Sequence, residues 1–511
     1  MSPDQFPPRR IAVLGGGIAG LAAAHRLVEL DPRCAVTLLE AGPRLGGVLS
    51  TVHEDGFQVE QSADNFITTV PWGVNLCKRL GLADQLQQTN PAYRRTFVVR
   101  RGRLHRLPDG FLMMAPTRLW PLAVTPILSP LGKLRAALEY FLPPRANPSD
   151  ESMAAFVRRR LGREVFDRLV EPLVSAVYAA DLEKLSVLAT LPRFREMEQE
   201  YGSLIRAMRH TMRNRPKSGG ESGARYSMFV TLQAGLSRLV EAIAARLPPG
   251  AVRLGTSVTR IERCGDGWRA WTQGRGARDE GRGERNTNNE KCSVGAAIEL
   301  PHQQAGCPSP LAPRPSPLLL DALILATPSP VAADLLQPID AALAADLASI
   351  THSGTAILSL GYAADQIGHP LDGMGVVVPA VENSPILACS FSSRKYPHRA
   401  PDGKELLRVF VGGARRAELA EMDDDQLRPL VLDALSRLLR IRGEPCYCNI
   451  AHWPGTMPQY HVGHKELVAR IEARAAALPN LALAGNAYHG VGLPDCIHGG
   501  ELAAERILAA I

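Results

Sequence analysis

Between the apolar run IAVL and the helical pattern IAGLAAAHRLVEL the chain places Gly15-Gly16-Gly17-Ile18-Ala19-Gly20. Few features restrict a fold more. A G-x-G-x-x-G turn in that setting predicts a strand, a tight turn and a helix that together hold a dinucleotide. Gly15 permits the turn, Gly17 lets a pyrophosphate approach the backbone at the helix N-terminus, and Gly20 lets helix and strand pack closely. Ile18 and Ala19 belong to the same binding turn. A second apolar run, CAVTLLEA, completes a βαβ unit. Glu40 closes it about twenty residues beyond Gly20, where an acid accepts hydrogen bonds from ribose hydroxyls.

The chain has 511 residues, 45% of them hydrophobic, so two or three domains with real cores are expected. Nine cysteines without a Cys-x-x-Cys pair argue against a disulfide framework and for a reducing compartment. The first apolar run is too short for a signal peptide, which points to a cytoplasmic protein, with contact at the inner face of a membrane left open. No metal is expected. A net charge of +7 is thinly spread and no nucleic-acid module is present, so an anionic small molecule is the preferred ligand. The apolar stretch 119–132, LWPLAVTPILSPLG, carries Pro121, Pro126 and Pro130 and cannot span a bilayer. It reads as a buried irregular segment, with a membrane-surface contact or the entrance for a greasy substrate as alternatives.

Further along, FQVEQSADNFI and TFVVRRGRLHRLP read as strands, and residues 131–213 turn helical, with Asp150 as a candidate cap. Residues 272–317 are rich in Gly, Arg, Asn and Pro and read as a disordered insertion. Near the C-terminus Gly485, Gly490, Gly492, Gly499 and Gly500 crowd together. Each costs extra conformational entropy on folding, so a ligand approaching the backbone is expected there.

Directly after Glu40 stands AGPRLGG, and EPLVSAVYAADLEKLS, LATPSPVAADLL, WPGTMPQYHVGH and GNAYHGVGLPDCIHGGELAAERI follow in this order. Together they resemble the oxygen-dependent porphyrinogen oxidases, a group of amine-oxidase-like flavoproteins that contains protoporphyrinogen oxidase and bacterial coproporphyrinogen III oxidase. The likeness covers nearly the whole chain except 272–317. It implies FAD, with Gly15, Gly17, Ile18, Ala19, Gly20, Glu40, Ala41, Arg44, Gly46, Gly47, Val258, Gly485, Asn486, Gly492, Leu493 and Pro494 as its contacts. It implies six-electron oxidation of a porphyrinogen in three steps, with molecular oxygen as acceptor and hydrogen peroxide released. The flavin carries the chemistry, so no catalytic side chain is named.

The resemblance implies substrate contacts at Arg95, Thr96, Phe97 and Ala176. Thr96 stands where many relatives have Arg, and Ala176 and Ala180 stand where they have Gly, which tightens the pocket by a methyl group at each. Asp64, in SADNF, is carried over weakly. Six arginines between 94 and 106 lean toward the four propionates of coproporphyrinogen III, and the apolar stretch 119–132 leans slightly more toward protoporphyrinogen IX. Handover to a chelatase, a peripheral membrane contact and a homodimer are compatible arrangements. The fold implied is α/β: a Rossmann-like FAD domain built from 9–54, 226–329 and 475–511, a mixed-sheet substrate domain from 55–93 and 330–474, and a helical subdomain from 94–225. Rival readings are an amine or carotenoid oxidoreductase of the same superfamily, and a cofactor-free binding protein like the Rab GDP-dissociation inhibitors.

Overall fold

The structure is a computed structural model that describes residues 7–147, 149–213, 229–274 and 317–511; residues 275–316 of the expected insertion lie outside them. Strand β1 (Arg10–Leu14) leads through the glycine turn into helix α1 (Ile18–Leu30) and returns as β2 (Ala35–Leu39). The sheet continues with β3 (Val252–Arg253) beyond β2, and with β4 (Ala322–Leu325) and β5 (Leu481–Leu483) on the other side of β1, every pairing parallel. Its strands are apolar on both faces because both faces are covered. Ile11, Val13 and Ile324 face the core under α1, whereas Ala12, Leu14, Leu323 and Leu325 face the opposite core. The strand order reverses between β1 and β4, and the crevice at their carboxyl ends is where such sheets bind ligands.

A seven-stranded sheet runs in the order Tyr447–Pro458, His352–Ala363, Lys404–Gly412, Ile386–Phe391, Gly375–Val377, Thr96–Arg100, Arg103–Arg106. The strands Thr96–Arg100 and Arg103–Arg106 thus extend this sheet instead of joining the helical subdomain expected over 94–225. Thr96–Arg100 pairs with Gly375–Val377, which no local pattern could announce, and Arg103–Arg106 pairs with Thr96–Arg100 at the sheet's edge. One face, with Phe97, Val99, Leu407, Val409 and Val411, packs on helix Asp424–Leu439. The other face sends Val98, Val377, Ala388 and Phe410 toward the helical layer.

That layer buries Phe156, Val157, Leu161, Phe166 and Leu169 and includes helix α2 (Glu171–Tyr178). The cap of helix Met153–Leu161 is Ser152, whose hydroxyl accepts from Ala155 N–H at 3.2 Å; Asp150 instead accepts from Ser186 Oγ at 2.6 Å and so ties two helix starts together. The stretch 119–132 is buried and irregular only in its middle, where Thr125, Ile127 and Leu128 are buried outside any helix. On either side it forms helix Leu119–Val124 and the start of helix Pro130–Ala137, and Leu119, Trp120, Val124, Leu131, Leu134, Leu138 and Phe141 are all exposed. Prolines at helix starts explain why the segment is helical despite three of them, since a first-turn proline gives up no intrahelical bond.

Helix α3 (His464–Ala476) and helix α4 (Leu493–Ala510) bracket β5 on opposite faces of the parallel sheet. Helix α4 lies against α1 so closely that a Cβ on Gly500 would overlap the carbonyl oxygen of Ala19.

Candidate cofactor and substrate site

The first turn is held by backbone contacts that tolerate no side chains. Gly15 has φ +104°, and a Cβ on it would stand 2.5 Å from the Ala326 carbonyl oxygen at the end of β4. A Cβ on Gly20 would overlap the Gly15 carbonyl. Gly17 differs: its φ of −69° suits any residue, and no protein atom lies within 4 Å of where its Cβ would be. The fold does not require glycine there, and the bare backbone leaves open space beside it. Ile18 and Ala19 begin α1 behind it. The AGPRLGG loop lies alongside, with Gly46 N–H donating to the Gly16 carbonyl at 2.8 Å and Gly47 packed 3.3 Å from the Gly17 Cα as measured to its would-be Cβ.

Glu40 accepts from Gly16 N–H and from Gly42 N–H, both at 2.6 Å. Each carboxylate oxygen retains a second lone pair, so the expected ribose contact is compatible with this brace. Arg44, expected on the cofactor phosphates, gives its guanidinium to the carbonyls of Leu45, Gly47 and Leu49 at 3.2, 2.7 and 3.0 Å. It shapes the loop. Ala41 is exposed at the loop's start. Thr256 N–H bonds the Glu40 carbonyl at 2.8 Å, and Val258 follows at a bulge in the same strand.

The five C-terminal glycines have separate causes. Gly490 and Gly492 leave room for the Asp495 carboxyl, whose atoms would lie 2.6 Å from a Cβ on either, and Gly500 answers to the packing of α4 on α1. Gly485, at φ +133°, meets protein only at 3.9 Å, and Gly499 meets none within 4 Å. The expectation that all five serve a ligand is therefore corrected: three serve the protein's own packing. Asn486 donates its side chain to the Thr456 carbonyl at 3.1 Å and accepts Tyr460 Oη on its own carbonyl at 2.5 Å. Gly492 is the N-cap of α4, followed by Leu493 and by Pro494 in the first turn, so the positive end of that helix opens toward the end of β5.

Opposite stands the last turn of α2, where Ala176 and Val177 are exposed and Ala179 closes the helix at φ +47°. Burial pushes the Tyr178 phenol up to about 12, and Asp495 adds to the effect, so the two helix ends face each other. The WPGTMPQY strand supplies three residues for which the sequence assigned no role. Trp453 Nε1 donates to the Gln61 carbonyl at 2.6 Å, Tyr460 stacks on His464 with ring centroids 4.0 Å apart, and Gln459 Nε2 donates to Ser353 Oγ at 2.8 Å. The aromatic and polar residues at the two ends of this segment were the available signal.

Of the residues expected on the substrate, Thr96 stands on the face of the sheet that carries Val98, toward the helical layer, as strand alternation requires. Phe97 points the other way, into the outer core, edge-on to His369. Arg95 pairs at the surface with Asp372 at 3.0 Å, which also holds Arg106 at 3.0 Å. Neither Arg95 nor Phe97 reaches the cleft. Asp64 sits among cations: Lys395 at 2.9 Å and Arg408 at 3.5 Å. Burial alone raises its pKa, but those charges prevail and hold it at about 2. Arg399 and Glu60 form a buried pair nearby at 2.8 Å. Arg408 projects from the inner face of Lys404–Gly412, and its Nε and Nη1 have no hydrogen-bond partner among the described residues. Sequence reading missed this cluster because its members come from three separate stretches.

The cradle fits a flavin dinucleotide: a turn closed to side chains, an open approach at Gly17 and Gly485, an acid after β2 and a helix N-terminus at the far end. The family model for flavin containing amine oxidoreductases matches residues 18–283 and 315–508. A coproporphyrinogen III oxidase of Bacillus subtilis is 33% identical across 98% of both chains. That of Propionibacterium freudenreichii is 33% identical over 98% of this chain and 91% of its own, and the chloroplastic protoporphyrinogen oxidase of Nicotiana tabacum is 29% identical over 96% and 84%. A crystal structure from Exiguobacterium sp. 255-15, provisionally assigned as a protoporphyrinogen oxidase, superposes with a TM-score of 0.81 at 30% identity over 99% of each chain.

Proposed function

Because the chain belongs to the flavin containing amine oxidoreductase family, we propose that it oxidises a porphyrinogen, coproporphyrinogen III before protoporphyrinogen IX, with molecular oxygen as acceptor. FAD is its cofactor. The observation that carries the substrate is the full-length likeness to coproporphyrinogen III oxidases, which exceeds the likeness to the plant protoporphyrinogen oxidases. It shifts the slight lean of the sequence toward protoporphyrinogen.

Bound FAD supplies the redox chemistry, accepting electrons in pairs. The residues do the rest. The α1 N-terminus at Gly17 and the backbone at Gly485 hold the phosphate and ribityl portion, and Glu40 the adenosine ribose. The α4 N-terminus would favour negative charge on the cofactor held beside it. Ala176 and Val177 at the end of α2 make an apolar wall for the macrocycle. The cluster of Lys395, Arg408 and Asp64 keeps a surplus of positive charge beneath the inner face of the sheet, which suits a substrate carrying carboxylates. Orientation of the macrocycle and exclusion of water suffice, and pyrrole protons leave to solvent.

The exposed apolar set between 119 and 141 belongs to the same reading as a peripheral lipid contact, flanked by Arg118 and Lys133. Among the described residues no helix is long and apolar enough to cross a membrane. The test is kcat/KM for both porphyrinogens in air, followed by porphyrin fluorescence. Coproporphyrinogen III is expected to lead by about tenfold, a difference of about 1.4 kcal/mol in barrier. Turnover of neither substrate by the FAD-loaded protein overturns the reading.

A further inference from the structure

A cavity of about 490 Å³ runs along the free edge of β5, between α3 and α4. Its inner end is Gly485, Tyr488 and Asp495, where β5 stops and α4 starts. Its outer end carries His489 and Arg506 around Glu472, with His489 Nε2 at 2.8 Å from the carboxylate. Between them the walls are apolar and mostly small.

One glycine points to this space being kept open for something. Gly499 lies inside α4, where glycine costs about 1 kcal/mol relative to alanine. Unlike its neighbour Gly500, it has no protein atom within 4 Å of a would-be Cβ, so packing does not explain it. Tyr488, only 6% exposed, contributes to the same wall, and apolar walls suit a small molecule that dissolves in hydrocarbon.

We propose that this cavity is the passage through which dioxygen reaches the reduced cofactor and hydrogen peroxide departs. The inference rests on the reading of the protein as an oxygen-using flavoenzyme. In the step it serves, dioxygen takes two electrons and one proton from the reduced flavin and a second proton from solvent, and leaves as hydrogen peroxide. The macrocycle does not use this route, since α2 and the seven-stranded sheet stand on the other side of the α4 N-terminus.

The experiment compares the unmodified holoprotein with Gly499→Ala and Gly499→Phe. Each is reduced with dithionite without any porphyrinogen and mixed with oxygenated buffer, and anaerobic reduction by porphyrinogen is measured separately. Reoxidation is expected to slow modestly in Gly499→Ala and by about tenfold or more in Gly499→Phe, with anaerobic reduction and flavin content unchanged. Xenon, which occupies dry apolar cavities, is expected to perturb Tyr488 in the unmodified protein and not in Gly499→Phe. Unchanged reoxidation in Gly499→Phe, equal slowing of both half-reactions, or no xenon at Tyr488 overturns the proposal. A protein that reoxidises through this cavity but oxidises no porphyrinogen overturns only the substrate reading. Should Gly499→Phe fail to fold, Ala476→Phe narrows the cavity from exposed α3 under the same criteria.

Discussion

The Glu40 carboxylate and the backbone N–H of Gly16 lie 2.6 Å apart, and the same carboxylate takes Gly42 N–H from the other side. The acid that ends β2 is thus a structural clamp on the glycine turn as well as a candidate ribose ligand. Glu40→Ala is expected to lose about 2–3 kcal/mol of stability even without FAD, because hydrogen bonds to a charged acceptor are worth more than neutral ones. Urea unfolding of the flavin-free protein checks this. A variant as stable as the parent but weak in FAD binding would leave Glu40 with the ligand role alone.

Gly17 and Gly20 separate binding from folding. Gly17→Val meets no protein atom, so the flavin-free protein is expected to keep its stability within about 0.5 kcal/mol, as for a surface change, and to lose FAD. Gly20→Val, driven into the Gly15 carbonyl, is expected not to fold. Absorbance at flavin wavelengths and thermal unfolding of both variants decide the matter; a yellow Gly17→Val protein would remove the pyrophosphate from this turn.

Arg95 is expected to be dispensable. Its pair with Asp372 is half exposed, and such pairs contribute about 0–1 kcal/mol. Arg95→Ala should leave kcat/KM unchanged for either porphyrinogen, whereas a loss of a hundredfold would return this arginine to the substrate.

His464 confers a pH dependence. Burial holds its pKa down at about 4, against an ordinary value of 6.5, with His489 and His461 adding repulsion and the carbonyls of Tyr488 and Ala487 opposing. The folded protein therefore favours the neutral imidazole, and the unfolded chain binds the extra proton between those values. This contribution is fully present above pH 6.5 and is lost as pH falls toward 4, up to about 3 kcal/mol. His464→Gln should flatten the fall in unfolding free energy between pH 7 and pH 4.5; an unchanged slope would exonerate this histidine.

The exposed residues Trp120 and Phe141 give the apolar face between 119 and 141 its test. Replacing both by Ser is expected to reduce co-sedimentation with anionic phospholipid vesicles severalfold without altering flavin content. Equal sedimentation of parent and variant would leave this face to another partner.

Local patterns carried the cofactor half of the molecule. The turn, α1, β2 and Glu40 are contiguous, and their periodicity and glycine spacing state their geometry directly. The substrate half was less legible because its contacts are distant in sequence. Thr96 and Phe97 alternate on one strand, but which of them faces the cleft depends on a sheet completed by Gly375–Val377 and Ile386–Phe391. Asp64, Lys395 and Arg408 meet only when three elements converge, and no spacing encodes that. The crowded glycines were misleading for a related reason: Gly490 and Gly500 answer to Asp495 and Ala19, and a glycine reserved for a neighbouring backbone looks the same in sequence as one reserved for a ligand.

The fit of Gly500 against Ala19 couples the synthesis of this chain to the order in which it folds. In translation α1 is made long before the helix that covers it. Until then the apolar side of α1 and the growing parallel sheet have no permanent cover, and the helical layer, whose contacts are more local, is free to form first. FAD binding is therefore expected only once α4 has been made and packed, and a polypeptide cut short before α4 has the nucleotide turn in place and nothing to close it.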